Sequence, residues 1–295
     1  MDNIIELNNL KKLYKKNIAI DGVNLEVKPN QIYGFVGPNG AGKSTTIKIM
    51  LDLIRSDEGV AKIFNLDCKN DTEIIKRDLG FVSSDVRFYN FMSVKDIINK
   101  TLKFYNLKYY DDIDKMIEYL QIDTSKKLTE LSLGNKKKIA IVCALIHHPK
   151  LIILDEPTSG LDPLIQKRLF VLLQEAVKKG STVFLSSHNL QEVETYCDNV
   201  AFIKDGKIIR VQNLKEKGIK HTKDVYLTGK IDKEDLNNID IKLIENDENH
   251  LHFHYQGDSQ DLIKAISNLN IIDIQIRNLS LEEEFMHYYE GKDHE

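Results

Sequence analysis

The nine residues GPNGAGKST at positions 37–45 restrict what this chain can fold into more than any other stretch. They follow a short apolar run, QIYGFVG at 31–37, and lead into STTIKIMLDLI at 44–54, where Ile47, Met50, Leu51 and Ile54 recur at helical spacing. The expected order is a buried strand, a glycine-rich turn and an amphipathic helix. Such a turn wraps backbone N–H groups round an anion, and the helix N-terminus adds favourable potential to the same place. The spacing G-x-x-x-x-G-K-[ST] falls on Gly37, Gly42, Lys43 and Ser44. It offers a lysine charge to the β- and γ-phosphates of a nucleotide and a serine hydroxyl to Mg²⁺. Pro38, Asn39, Gly40, Ala41 and Thr45 complete the expected phosphate cradle.

Two further apolar runs of strand length, KLIILDEP at 150–157 and STVFLSSH at 181–188, flank a helical period from about 163 to 179. Strands apolar on both faces that alternate with helices predict a mostly parallel α/β sheet. Asp155 then falls at a strand tip, where it suits a magnesium shell, and Glu156 is placed to polarise an attacking water. Adjacent carboxylates there are costly unless a cation or a proton lies between them. The Asp205-Gly206 pair inside VAFIKDGKII, residues 200–209, predicts a hairpin.

Charge and apolar run length exclude several function classes. Asp and Glu outnumber Lys and Arg by 45 to 41, so no global basic field draws nucleic acid, and no nucleic-acid partner is expected. The longest apolar run, IAIVCALI at 139–146, falls far short of the roughly 20 residues that span a bilayer. The opening MDNIIELNNLKK reads as an edge strand rather than a signal peptide. Cys68, Cys143 and Cys197 lack the spacing of a disulfide framework or zinc site, which fits a cytosolic compartment.

Between about 85 and 148 the period is helical, with Ser93 and Asp96 forming a capping box. Phe88, Tyr89, Phe91, Phe104, Tyr105, Tyr109 and Tyr110 crowd this insert, and most are expected in its core with a minority on an exposed groove. The stretch LTELSLGNKKKIAI at 128–141 stacks Lys136, Lys137 and Lys138 into the first turn of a helix. Cations there oppose the helix dipole by about 0.3–1 kcal/mol each, so either the lysines face water or the helix meets an anion. After Gly218 the pattern changes to strand, short helix, two strands, helix and strand, then a closing helix LSLEEEFMHYY. HLHFHY at 250–255 puts His250, His252 and His254 on one face of a strand. Residues two apart on a strand lie about 6.6–6.8 Å apart, so plain half-buried alternation is the expectation, not a metal site.

The combination resembles the ATP-binding-cassette (ABC) ATPases over roughly residues 4–215, most nearly the ATP-binding subunits of exporters of the bacitracin-resistance kind. LSLGN at 131–135 resembles that family's signature loop, SGLD at 159–162 its D-loop, and His188 its switch histidine. The resemblance implies an α/β P-loop cassette at 1–217 with a mixed sheet core, an antiparallel β edge and the helical insert. A linker at 218–223 and a small α+β domain of βαββαβ order at 224–295 would follow. It implies ATP and Mg²⁺ as cofactors, Glu156 and His188 as catalytic groups, and Tyr14 as the ring stacked on adenine. Ser44 and Asp155 would be the metal ligands, and Ser132 and Gly134 would meet the γ-phosphate bound to a second cassette chain, identical or different. That partner nucleotide would be the anion facing the lysine-bearing helix.

The family's other partner is an integral membrane permease, which would hold this chain on the inner face of the cell membrane while cassette closure drives export of a peptide, antibiotic or other amphipathic compound. The rival readings are a cassette ATPase acting on ribosomes or nucleic acid and an ATP-binding regulatory module. Three departures stand out: Leu133 replaces the usual glycine, Asn135 the usual glutamine, and Ser84 a glutamine that usually contacts magnesium and water, with Asp85 beside it as a substitute.

Overall fold

The computed structural model describes residues 2–15, 17–88, 92–215, 222–231, 236, 238–283 and 285. It divides into two units, Met1–Lys215 and Glu216–Glu295. In the first, strands β1 (Ile5–Tyr14), β2 (Asn17–Val27) and β3 (Ile32–Val36) lead to helix α1 (Lys43–Met50). There follow β4 (Glu58–Ile63), β5 (Leu66–Asp67), α2 (Thr72–Arg77) and β6 (Leu79–Val82). The insert holds α3 (Val94–Phe104), α4 (Asp111–Tyr119), a 3₁₀ turn at Leu128–Glu130 and α5 (Leu133–Leu145). The chain returns through β7 (Leu151–Asp155), α6 (Pro163–Lys178), β8 (Thr182–Ser187), α7 (Leu190–Tyr196), β9 (Asn199–Lys204) and β10 (Lys207–Asn213).

Two sheets result. Six strands run in the order β10-β9-β3-β8-β7-β6, and four in the order β2-β1-β4-β5. In the larger sheet β9, β3, β8, β7 and β6 are parallel and only β10 reverses, through the Asp205-Gly206 turn. Every residue of β3, β7 and β8 is buried, which is what their unbroken apolar runs require. Because these strands share one direction, the chain leaves Val36, Val82, Asp155 and Ser187 along a single edge of the sheet. Open parallel sheets bind ligands at the carboxyl ends of their strands.

Four expectations need correction. β1 pairs with both β2 and β4, so the N-terminal strand is internal to its sheet, not an edge. Helix α1 stops at Met50 because Asp52 turns left-handed (φ 51°) and Leu53 N–H donates back to Lys48 O at 2.9 Å. The insert's core is aliphatic: Val94, Ile97, Ile98 and Leu102 form the buried stripe of α3, with Ile113 and Leu128 against the interior. Phe88, Tyr105 and Tyr110 are only half-buried, Tyr109 is exposed and Phe104 is 79% exposed, while Tyr89 and Phe91 lie outside the described residues. The Ser93 capping box does form, with Ser93 Oγ accepting from Asp96 N–H at 3.2 Å and Asp96 Oδ2 accepting from Ser93 N–H at 2.9 Å. The fourth correction concerns the lysine run and belongs to the site.

The second unit contains β11 (Lys223–Gly229), β12 (Ile241–Asn246), β13 (His250–Tyr255), α8 (Ser259–Ile266) and β14 (Ile271–Asn278). Its sheet runs β12-β13-β11-β14 with every neighbour antiparallel, the strand order of a split βαβ sandwich. Val225, Leu227, Leu251 and Phe253 pack with Leu262 and Ile266 of α8. The expected linker, the short helix after β11 and the closing helix fall largely outside the described residues.

Candidate active site

The loop after β3 has room for glycine only at two of its key positions. A Cβ at Gly37 would sit 2.2 Å from the Ile203 carbonyl oxygen, and one at Gly42 would sit 2.7 Å from that of Ala19 on a backbone at φ 108°. The loop is thereby pressed against β9 and β2, which leaves its opposite side open. There a cavity of about 370 Å³ is lined by Pro38, Asn39, Gly40, Gly42, Lys43, Ser44 and Thr45, together with Ser84, Glu156, Ser159 and His188. Thus the ends of β3, β6, β7 and β8 all contribute to one space.

Lys43 is almost wholly buried. Its Nζ donates to Gly37 O at 2.6 Å and Pro38 O at 3.1 Å and lies 3.4 Å from Glu156 Oε1. Beside it, Ser44 Oγ donates to Asp155 Oδ1 at 3.1 Å, and Ser186 Oγ donates to the same oxygen at 2.7 Å. A hydroxyl and a carboxylate held together next to a phosphate cradle are the hard oxygen donors that suit Mg²⁺.

Glu156 takes a left-handed backbone, φ 50°, which is uncommon for a residue with a side chain and costs of order 1–3 kcal/mol. Two bonds hold it there. Its N–H donates to Ser186 Oγ at 3.0 Å, and its carbonyl accepts from Lys137 Nζ at 2.8 Å. The conformation aims the carboxylate between Lys43 and His188, whose Nδ1 lies 2.6 Å from Oε2, the geometry in which the ring N–H donates to the carboxylate.

Lys137 is the correction to the sequence reading of the lysine run. It is fully buried and does not face water; its second bond goes to Ser159 O at 2.8 Å. Burial pushes its pKa down, against the pull of Glu156 and Asp155. The signal was present in the helical period: Lys137 shares a face of α5 with buried Ile141, Ala144 and Leu145. Lys138 is buried too, leaving only Lys136 of the three as a surface residue. Sequence reasoning also missed Ser186, which braces both Asp155 and Glu156. It missed Glu192 as well, whose carboxyl is pushed up by burial and accepts from Thr158 Oγ1 at 2.9 Å.

Gly37, Ala41 and Asp155 stand behind the cavity lining, whereas Tyr14, Ser132 and Gly134 lie away from it. Tyr14 ends β1 and is 47% exposed, its ring 5.7 Å from the Lys12 ammonium. Ser132 caps α5 by accepting from Asn135 N–H at 3.3 Å. A Cβ at Gly134 would come within 2.5 Å of Gly160 O, so the LSLGN loop is packed on the SGLD turn. Ser84 reaches the cavity, while Asp85 is engaged by Arg87 at 2.5 Å and does not line it.

A parallel sheet that presents a phosphate-binding loop, a buried aspartate and a strained glutamate along one edge defines a P-loop nucleotide hydrolase. Residues 20–159 match the ABC transporter family. The chain is 38% identical over 213 residues to the bacitracin transport ATP-binding protein BcrA of Bacillus licheniformis, covering 71% of this chain and 69% of that one. It is 30% identical to the linearmycin resistance ATP-binding protein LnrL of Bacillus subtilis, covering 70% and 68%. A dimeric structure of MJ0796, a bacterial ABC transporter cassette, superposes with a TM-score of 0.66 at 25% identity, covering 72% of this chain and 99% of that one. The chain belongs to the ABC transporter family as an ATP-binding subunit, and it is an ATPase.

Proposed function

We propose that this chain is the motor of an exporter for a peptide antibiotic or a similar amphipathic compound, working as a cassette dimer on a separate membrane permease. The observation that carries the dimer is the division of the site. Lys43, Ser44, Glu156 and His188 meet in one cavity, while Ser132 and Gly134 lie outside it on the same chain. A second chain is the natural source of the missing contacts, and the MJ0796 cassette is itself dimeric. The cargo class follows from the roles of BcrA and LnrL, in bacitracin transport and linearmycin resistance.

In this reading the loop N–H groups and Lys43 bind the phosphates, and Tyr14 offers its exposed ring to adenine. Ser44 and Asp155 would hold Mg²⁺, which would supply positive charge to the phosphates. Glu156 accepts the proton of the attacking water, and His188 orients Glu156 through the 2.6 Å contact. Ser84 serves the cavity through a shorter hydroxyl in place of a long amide.

No helix among the described residues is long and apolar enough to cross a membrane, and in this reading the permease supplies the export path. A groove of about 550 Å³ beside α3, lined by Leu53, Phe81, Phe104, Tyr105 and His147, suits an apolar cytoplasmic helix of that permease. Such a contact would place the chain on the inner face of the cell membrane.

The test is mass. Glu156→Gln, saturated with Mg-ATP together with any cognate cassette, is expected to run as a dimer by light scattering and as a monomer without nucleotide. A particle that stays monomeric under saturation overturns the two-chain site.

A further inference from the structure

The second unit carries a cluster that the ATPase does not use. Strand register places Asp224 opposite His254 on one side and Arg277 on the other, and Tyr226 opposite His252. All five side chains therefore share the sheet face turned away from Val225, Leu227 and Phe253. Asp224 is only 1% exposed. Its Oδ1 lies 2.6 Å from His252 Nε2 and 3.4 Å from His254 Nε2, and its Oδ2 lies 2.5 Å from an Arg277 nitrogen.

We propose that Asp224, His252 and His254 form a binding site for a divalent transition-metal ion of the zinc class. The three donor atoms lie within 4.8 Å of one another, two imidazole nitrogens and one carboxylate oxygen. That mixture suits zinc and its neighbours, whereas Mg²⁺ and Ca²⁺ take all-oxygen sets. Bonds of about 2.0–2.1 Å in tetrahedral geometry separate ligand atoms by roughly 3.4 Å. The His254 pair already stands at that spacing, and the His252 pair reaches it by opening less than one ångström, a small ring displacement.

The surroundings fix the donor groups in place. Arg277 holds the second oxygen of Asp224, which leaves Oδ1 as a single-atom ligand and fixes the carboxylate's direction. Tyr226 stacks on His252 at 3.9 Å and 14°, fixing the ring. A cavity of about 320 Å³ adjoins His252 and is lined also by Glu245, Asp247, Asp273 and His250, whereas Lys242 stands opposite His254 and Arg277 beside Asp224 on the far side. The cavity offers an ion an acidic approach, and the side chains of His252 and His254 remain 16% and 17% exposed, so solvent ligands can complete the shell.

Strand spacing does not keep the donors apart, because the third ligand comes from the neighbouring strand. Asp224 sits between the two rings, which lean to within 5.9 Å of each other. His250 is not part of the set; its Nδ1 lies 3.3 Å from Thr228 Oγ1.

Untagged full-length protein, stripped with chelator and free of nucleotide, is titrated with Co²⁺ and then with Zn²⁺. One Co²⁺ per chain with visible ligand-field absorption, displaced by Zn²⁺, is the expected result. His254→Gln should weaken binding at least about tenfold, and His250→Gln should leave it within about twofold. Asp224 is buried and paired with Arg277, so the histidine variants carry the test, and circular dichroism checks that they fold. Absence of saturable one-to-one binding, or His254→Gln binding as tightly as the parent chain, overturns the site and leaves the histidines as partners of the Asp224–Arg277 pair alone.

Discussion

The cassette cavity and the second unit's sheet both set basic side chains against paired carboxylates, but they assemble them differently. In the cavity, Lys43 lies six residues from the Gly37 carbonyl it donates to, and Asp155 and Glu156 are neighbours in sequence. In the sheet, Asp224, His252, His254 and Arg277 come from three strands and meet only through register. The first arrangement has its cation held by loop carbonyls beside a glutamate whose backbone is strained into position. The second clamps Arg277 between Asp224 and Glu283. Strain with a lysine that can turn to phosphate suits turnover; a doubly satisfied arginine suits a fixed structure.

If that contrast is right, the largest effect lies at the strained glutamate. Glu156→Gln keeps the size and the His188 contact while removing the base. The ATPase rate should fall on the order of 10²–10⁴-fold in a steady-state phosphate-release assay. ATP binding by equilibrium dialysis should survive. Equal rates for the two proteins would mean that the left-handed turn at 156 serves no chemistry.

A smaller loss is expected one step back, at the lysine that braces this turn. Lys137→Met removes two bonds from a charged donor to the Glu156 and Ser159 carbonyls, each typically worth about 1.5–3 kcal/mol. The relief of a buried charge offsets part of that. The net change in stability should be about 1–3 kcal/mol by urea unfolding. The ATPase rate should fall about tenfold, while ATP affinity changes less than about twofold because the loop after β3 is untouched. A rate that stays level would show that Ser186 alone holds the Glu156 backbone.

How far the two regions could be read beforehand follows from the same contrast. The phosphate loop, Asp155, Glu156 and His188 were legible because each is fixed by a few residues of local sequence at the end of an unbroken apolar strand. Lys137 was half legible: its place on the apolar face of α5 could be counted, but the carbonyls it satisfies lie 19 and 22 residues away across a turn. Ser186 was hidden inside an apolar run, where a serine reads as a minor polar interruption. The aromatic crowd of the insert misled because aliphatic residues already fill the stripe of α3. Of the Asp224 cluster only the shared face of His252 and His254 was legible, since a one-residue shift in the pairing of β11 would turn Asp224 to the other face. Histidines on β13 acquire a partner only once β11 is known to lie beside it.

The smallest effect tests whether the second unit is as fixed as its doubly bonded arginine implies. Glu283 accepts from Arg277 at 2.9 and 2.7 Å and from Ser280 N–H and Oγ at 2.9 and 2.7 Å. Those bonds, the Arg277 bond first, pull its pKa down to about 2 from an ordinary 4.5. A carboxyl depressed in the folded state binds its proton more readily when unfolded. Its contribution is therefore complete above about pH 4.5 and is lost as the pH falls towards 2. The side chain is 38% exposed, so solvent screening reduces the expected contribution to about 1 kcal/mol. Hydrogen-exchange protection of β14 amides, corrected for intrinsic rates and compared at pH 5 and pH 3, should fall more in the parent chain than in Glu283→Gln, by about fivefold. Parallel loss in both proteins would mean that Arg277 is held by Asp224 alone, and that the sheet face owes its order to the buried aspartate rather than to the clamp.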